Sequence, residues 1–235
     1  MTTSSRDSHL TPAYILHSRR YRDTSLLVDL FTARDGRISA IVRGGGKAGS
    51  NFAQAFSPLL ISYRGRGELK TTTKIEVLSG SNLSGNNLFV GMYVNELLVR
   101  LLGKFDAMPD LFESYQGLLE TLASTGQISR QLRAFEFLLI AELGYGLTFD
   151  VEAGGNQAIE HHLFYRFVAN QGFYLAKADT PHTYCGSHLL ALARGSLDSP
   201  GVDSTAKQII RSSFDHLLGG KLLKSRSLFR QFNKH

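Results

Sequence analysis

The chain has 235 residues, 43% of them hydrophobic and 20% charged, which is the make-up of a globular protein with sequence for one large domain or two to three small ones. Its one cysteine, Cys185, excludes an intramolecular disulfide framework and a four-cysteine zinc site and fits a reducing, cytoplasmic setting. Twenty-six basic against 20 acidic residues give a net charge of +6, no apolar run approaches the roughly 20 residues of a membrane span, and residues 1–8 are polar without a secretory signal pattern.

The first part of the chain alternates apolar and polar residues in short β-rich runs, predicting strands at Ala13–His17, Leu26–Thr32, Arg37–Val42, Leu59–Arg64 and Thr71–Leu78. Turn chemistry separates them, with Arg34-Asp35-Gly36 as a hairpin signal and Gly65-Arg66-Gly67 between the last two. Between Val42 and Leu59 the glycine-rich run starting at Arg43 predicts a basic loop. After a polar linker at residues 79–87 the period becomes helical, over Leu88–Phe105, Asp110–Ser124 and Ser129–Leu143, with Asp110 and Ser129 as N-caps and Gly144 as the stop. Residues 150–185 predict a short hairpin, Glu160–Ala169 with Gly172–Ala176, and helices return at Ser187–Ala193 and Thr205–Leu218 before a basic tail. The predicted fold class is α+β: a five-stranded oligonucleotide-binding (OB) barrel over residues 1–83, then a mainly α-helical domain over residues 84–235 carrying the hairpin insertion.

The charge follows this division. Residues 1–83 hold twelve cations and six acids, 84–150 four and eight, 151–220 five and six, and 221–235 five and none. A basic module of this kind suits a polyanion, because each neutralised phosphate releases condensed counterions; the alternative is a surface charged for solubility.

Few motifs support catalysis. Gly44-x-Gly46-x-x-Gly49 matches a dinucleotide fingerprint formally, but that motif needs a helix opening behind it, and here a Ser-Asn loop follows. Gly46-Lys47-Ala48 lacks the hydroxyl of a phosphate-binding loop. His182, Cys185 and His188 are the one compact set of soft ligands, and His161-His162 the one histidine pair; neither spacing defines a metal site. No nucleophile elbow or zinc-protease motif is present, so an enzyme reading is disfavoured and no cofactor is expected.

The nucleic-acid reading collects Arg19, Arg20 and Arg22 after the first strand, Arg37 and Arg43 flanking the third, Lys47 in the glycine loop, and Arg64, Arg66, Lys70 and Lys74 around the last turn. Tyr21 and Phe52 lie in predicted loops, where aromatic rings serve as stacking surfaces for bases. For any one of these cations the competing role is a solvated loop charge.

Several stretches carry a resemblance. Ser18-Arg19-Arg20-Tyr21-Arg22-Asp23-Thr24-Ser25-Leu26, then Asp29-Leu30-Phe31-Thr32 and Gly36-Arg37, resemble the start of the bacterial RecO family. Tyr93-Val94-Asn95-Glu96-Leu97-Leu98, Phe135-Glu136 through Gly146, and Leu218-Gly219-Gly220-Lys221 through Phe232 match that family in the same order. The resemblance implies an N-terminal OB barrel, a helical middle domain and a recombination-mediator role in DNA repair, in the cytoplasm with the nucleoid. It also implies binding of single- and double-stranded DNA, annealing of complementary strands, contact with the C-terminal tail of single-stranded DNA-binding protein, and action with RecR to load RecA. Some branches carry a four-cysteine zinc module, which this chain lacks. A tail that ends in an apolar residue and a carboxylate needs a cation beside an apolar groove, and Arg130, Leu132 and Arg133 on the third predicted helix are the expected residues. A general OB-fold module acting on RNA is the alternative reading.

Overall fold

The computed structural model describes residues 10–46, 55–78, 83–124, 126–155 and 157–232. Alternating side chains build β1 (Thr11–Tyr21), β2 (Ser25–Thr32), β3 (Gly36–Val42), β4 (Leu59–Arg64) and β5 (Leu69–Val77). These close into a barrel in the order β1-β2-β3-β5-β4, with every pairing antiparallel except β3 with β5. Inward positions of the alternation, among them Ile15, Val28, Leu30, Ile38, Ala40, Leu59 and Ile61, fill the barrel and are buried.

β1 departs from its prediction by running four residues further, to Tyr21. Arg19, Arg20 and Tyr21 look like loop residues because they are polar, yet each pairs with β2, opposite Leu27, Leu26 and Ser25. The backbone ladder decides the strand where side-chain hydrophobicity gives no signal.

The β2–β3 turn is tied by the Thr32 hydroxyl, which accepts from the Asp35 N–H at 3.1 Å and donates to the Gly36 carbonyl at 2.9 Å. Gly36 has φ +65°, and a Cβ there would stand 1.7 Å from the Asp106 carbonyl oxygen, so only glycine lets these two backbones meet. Beside this turn the Tyr63 hydroxyl donates to Asp35. Burial, then the bond to Asp35, pushes the Tyr63 pKa up to about 12.

Past residue 83 come α1 (Gly85–Leu101), α2 (Pro109–Ala123), α3 (Ile128–Ile140), α4 (Gly186–Ala193), α5 (Pro200–Leu217) and α6 (Lys224–Phe232). The caps differ from expectation. Asp110 sits in the first turn of α2 behind Pro109, with Met108 at the cap position. Ser129 lies inside α3 and donates to Asp203 at 2.9 Å. Gly144, at φ +85°, ends a single π-helical turn, Ala141–Tyr145, that continues α3.

Packing groups the elements into two compact units, residues 1–125 with 223–235, and residues 126–222. The change of period at residue 83 thus marks the passage from strands to helices, while α1, α2 and α6 belong with the barrel. The physical reason is an apolar outer face on β1 and β2. Tyr14 and Phe31 point away from the barrel interior and meet Phe112 and Tyr115 of α2, with ring centroids 5.1–5.9 Å apart.

Asn95 of α1 completes that seam. β1 has a bulge between Ile15 and His17, and bulges leave backbone groups without ladder partners. The Asn95 amide donates to the carbonyls of Ile15 at 3.4 Å and Leu16 at 3.1 Å, and its own oxygen accepts from the Tyr115 hydroxyl at 2.7 Å. All of these bonds are buried.

The second unit joins α3, α4 and α5 with a three-stranded sheet. β6 (Phe164–Val168) lies between β7 (Gly172–Ala176) and β8 (Thr183–Cys185). The hairpin was legible in the sequence; β8, three residues long, was not. Tyr165, Phe167, Phe173, Leu189, Ala206 and Ile209 are in its core.

Candidate nucleic-acid interface

The cations of the barrel unit fall into two sets, those paired with carboxylates and those that are not. Five cations of the unit are ion-paired: Arg34 with Asp35 at 3.0 Å, Arg37 with Asp29 at 3.9 Å, Lys74 with Glu76 at 2.5 Å, Arg100 with Glu96 at 3.3 Å and Lys104 with Glu68 at 3.2 Å. Arg19, Arg20, Arg22, Arg43, Arg64 and Arg66 are exposed, and among the described residues no carboxylate pairs with them.

These arginines form two groups. In the first, the far end of β1 leads into the Arg22-Asp23-Thr24 turn, where Arg22 takes φ +54°. Cross-strand partners share a face, so Arg20, opposite the core residue Leu26, lies on the barrel-interior side of the ribbon, and Arg19 and Tyr21 on the other. Leu26 also pairs with Val42 on β3, and Arg43 follows directly. The Gly46 N–H donates to the Thr24 carbonyl at 3.0 Å, fixing the start of the glycine-rich segment beside the same turn. Arg19, Arg20, Arg22 and Arg43 are therefore gathered at one end of the barrel, with Asp23 as the carboxylate among them. The Arg22 guanidinium stands 5.3 Å from the centre of the half-buried Tyr21 ring.

The second group is the β4–β5 hairpin. Arg64 and Arg66 are exposed there. Lys70 is drawn inward, donating to the Gly65 carbonyl at 2.9 Å and standing 4.7 Å from the Phe105 ring centre.

Two expected site residues have other duties, and two are not described. Arg37 lies within β3 with its side chain 16% exposed, and it donates to the Val99 carbonyl near the end of α1 at 2.8 Å. It ties strand to helix, a role that favours a cation at the negative end of the helix dipole. Lys47 and Phe52 lie outside the described residues. Residues 43–46 form a turn behind β3, and the rest of the Gly44–Gly49 motif lies outside the described residues.

On α3 the expected partner site is also rearranged. Leu132 is buried in the second unit. The Arg133 side chain is 9% exposed, bonded to Glu136 and 3.6 Å from Asp203. Burial would strand this guanidinium unless carboxylates met it, and helical spacing places Glu136 one turn on. Arg130 remains at the surface, 3.4 Å from Asp198.

Three sets of long-range contacts escaped the sequence. Those of Asn95, Tyr115 and Glu96 have no local signal, because their partners lie 20 to 129 residues away. The signal available for α6 was the spacing of Leu228, Phe229 and Phe232, hidden under five basic residues.

The soft-ligand set is dispersed into local bonds. The Cys185 thiol points to the His161 carbonyl at 3.6 Å, Ser187 donates to Cys185 at 3.1 Å, and His188 Nδ1 bonds the Thr205 hydroxyl at 2.9 Å. Among the described residues no group of three or more His, Cys, Asp or Glu side chains is placed to hold a metal, and no helix is long and apolar enough to cross a membrane.

Comparison with known proteins agrees with this geometry. The family described as "Recombination protein O N terminal" matches residues 7–81, and "Recombination protein O C terminal" matches residues 83–227. The chain is 42% identical over 232 residues to DNA repair protein RecO of Cellvibrio japonicus, covering 96% of this chain and 98% of that one. It is 43% identical over 227 residues to the RecO protein of Methylococcus capsulatus, covering 94% and 93%, and 40% identical over 227 residues to that of Salmonella paratyphi B, covering 94% and 93%. With both family halves matched in order behind a closed five-stranded barrel, the chain belongs to the RecO family of DNA repair and recombination proteins.

Proposed function

We propose that this protein is a recombination mediator that binds single- and double-stranded DNA on its barrel and anneals complementary strands without ATP or another cofactor. The observation that carries the proposal is the separation of paired from unpaired cations: the ion pairs leave six exposed arginines in two groups on one barrel. Strands repel through their phosphates, so a protein that neutralises both backbones lowers the barrier to pairing without bond making or breaking. Point charges on strand ends and turns hold the backbone and leave base edges free to pair. Tyr21 adds a ring on which one base can stack.

The same reading places the protein among partners. It takes strands coated with single-stranded DNA-binding protein, meets the acidic tail of that protein on the second unit, and acts with RecR so that RecA is loaded. For the tail the support is Arg130, whose exposed pair with Asp198 exchanges readily for a tail carboxylate. Leu132 and Arg133 hold α3 from the inside.

Arg43→Ala tests the backbone assignment. Loss of one phosphate contact reduces the slope of log affinity against log salt by about 0.7 on single-stranded DNA, equally for all sequences. Lys74→Ala, which removes a cation already paired with Glu76, leaves the slope near wild type. An unchanged slope for Arg43→Ala, measured by fluorescence anisotropy, removes Arg43 from the interface.

A further inference from the structure

The basic end of the chain is folded back onto the barrel unit by one carboxylate. α6 begins at Lys224, directly after the buried Leu223, and the first amides of a helix have no partners within it. Here they are met from another element: the N–H groups of Lys224 and Ser225 each donate to Glu96 of α1 at 2.9 Å, and the Ser225 hydroxyl donates to the same carboxylate at 2.7 Å. Arg100, one turn along α1, stands 3.3 Å from Glu96. Further along, Phe229 packs edge-on against Phe89 with centroids 5.7 Å apart, and the Arg226 guanidinium lies 5.5 Å from the Tyr93 ring centre.

A glycine pair that caps α5 precedes this contact. Leu222 is 89% exposed, and Gly219 and Gly220 both take positive φ just before it. Leu228 and Phe229 keep substantial exposure in the docked helix. The chain leaves the first unit near residue 125 and re-enters it at residue 223, so docking of α6 gives the second unit two tethers where release leaves one.

We infer that α6 is a reversible strap, that Glu96 is its catch, and that opening the catch frees the basic segment Lys221–Phe232, bares the Phe89 and Tyr93 face of α1, and releases one of the two tethers between the units. Asn95 and Glu96, adjacent on α1, then have distinct tasks. Asn95 fixes α1 to the barrel through buried bonds, and Glu96 holds the strap through part-buried ones.

Proton linkage sets the direction of the switch. Burial alone would raise the Glu96 pKa, but the Ser225 and Lys224 amides, the Ser225 hydroxyl and Arg100 outweigh it and hold it below the usual glutamate value. A carboxylate with a depressed folded pKa contributes its stabilisation in full above the unfolded value and loses it as the pH falls through the folded one. Acidification in that range opens the strap. The charged groups facing the catch are Arg100 on α1 and Lys224 and Arg226 on α6.

Amide hydrogen exchange on the whole protein tests this without DNA, so its outcome is independent of the proposed nucleic-acid role. In Glu96→Gln, exchange at Lys224 and Ser225 accelerates about 30-fold, the effect of losing a charge-assisted acceptor, while α1 amides at Val94, Leu97 and Leu98 keep wild-type rates. Phe229→Ala, which leaves the carboxylate in place, gives the same local release. Unchanged exchange at Lys224 and Ser225 in both variants, or acceleration that extends equally to Val94 and the barrel strands, overturns the strap: the first means Glu96 holds nothing, the second that α6 opens only with global unfolding.

Discussion

Replacing Arg19, Arg20, Arg22 and Arg43 together by alanine weakens binding to single-stranded DNA about a hundredfold at 0.2 M salt and a few thousandfold at 0.05 M. Both figures follow from a loss of about 0.7 in the salt slope for each of four phosphate contacts, extrapolated from a common affinity near 1 M. The growth of the effect at low salt is the diagnostic feature, because a folding defect weakens binding by a similar factor at every salt concentration. The four side chains are exposed at strand ends and turns, where substitutions rarely move stability by more than about 0.5 kcal/mol each. Urea unfolding of the variant therefore keeps its midpoint close to wild type. Anisotropy titrations at four salt concentrations separate the two outcomes. A parallel downward shift with an unchanged slope assigns these arginines to something other than phosphate contact.

Asn95→Leu has the largest expected effect on folding. Leucine is similar in size but leaves the Ile15 and Leu16 carbonyls and the Tyr115 hydroxyl in a buried seam without the bonds that Asn95 supplies. An unsatisfied buried polar group costs about 1–3 kcal/mol, so with some sharing of water or relaxed geometry the variant loses about 3–4 kcal/mol, a large share of a typical domain's stability. Tyr115→Phe removes only the hydroxyl bond and costs about 1 kcal/mol. Because Tyr115 donates to Asn95, the two changes are coupled, and the double variant is less destabilised than the sum of the singles. Denaturant melts of the two single variants and the double measure this directly. Additive losses contradict the network.

Much of this architecture is written locally in the sequence. β2, β3 and β5 lie within two residues of their predicted bounds and β4 matches them, because each pairs one buried face with one polar face and is bounded by glycine or charged turns. The long helices were legible for the same reason, through an apolar stripe on each. What was hidden depends on partners distant in sequence. Arg19 to Tyr21 are strand residues by virtue of β2, which their own polarity conceals. Arg37 and Arg133 have the composition of surface cations, but the Val99 carbonyl with Asp29 in one case and Glu136 with Asp203 in the other draw them out of solvent. The basic tail folds because α1 presents Phe89, Tyr93 and Glu96 in register with it. The general rule is that period and turn chemistry specify elements, whereas the duty of a single polar residue is set by whichever backbone or carboxylate the fold brings to it.

The same distinction explains why the candidate interface needs the structure. Counting lysines and arginines marks the barrel as basic, but three of its cations, Arg34, Arg37 and Lys74, are spent on neighbouring carboxylates, and Arg37 also supports α1. The remaining arginines are the ones free to replace counterions on a polyanion.

The central claim is tested most directly by annealing of complementary DNA strands coated with single-stranded DNA-binding protein, followed by fluorescence and run with the partner either intact or lacking its acidic tail. The account predicts ATP-independent annealing that depends on the tail and is lost in the Arg19, Arg20, Arg22 and Arg43 alanine variant. Absence of annealing with either coat, or undiminished annealing by the variant, would contradict it.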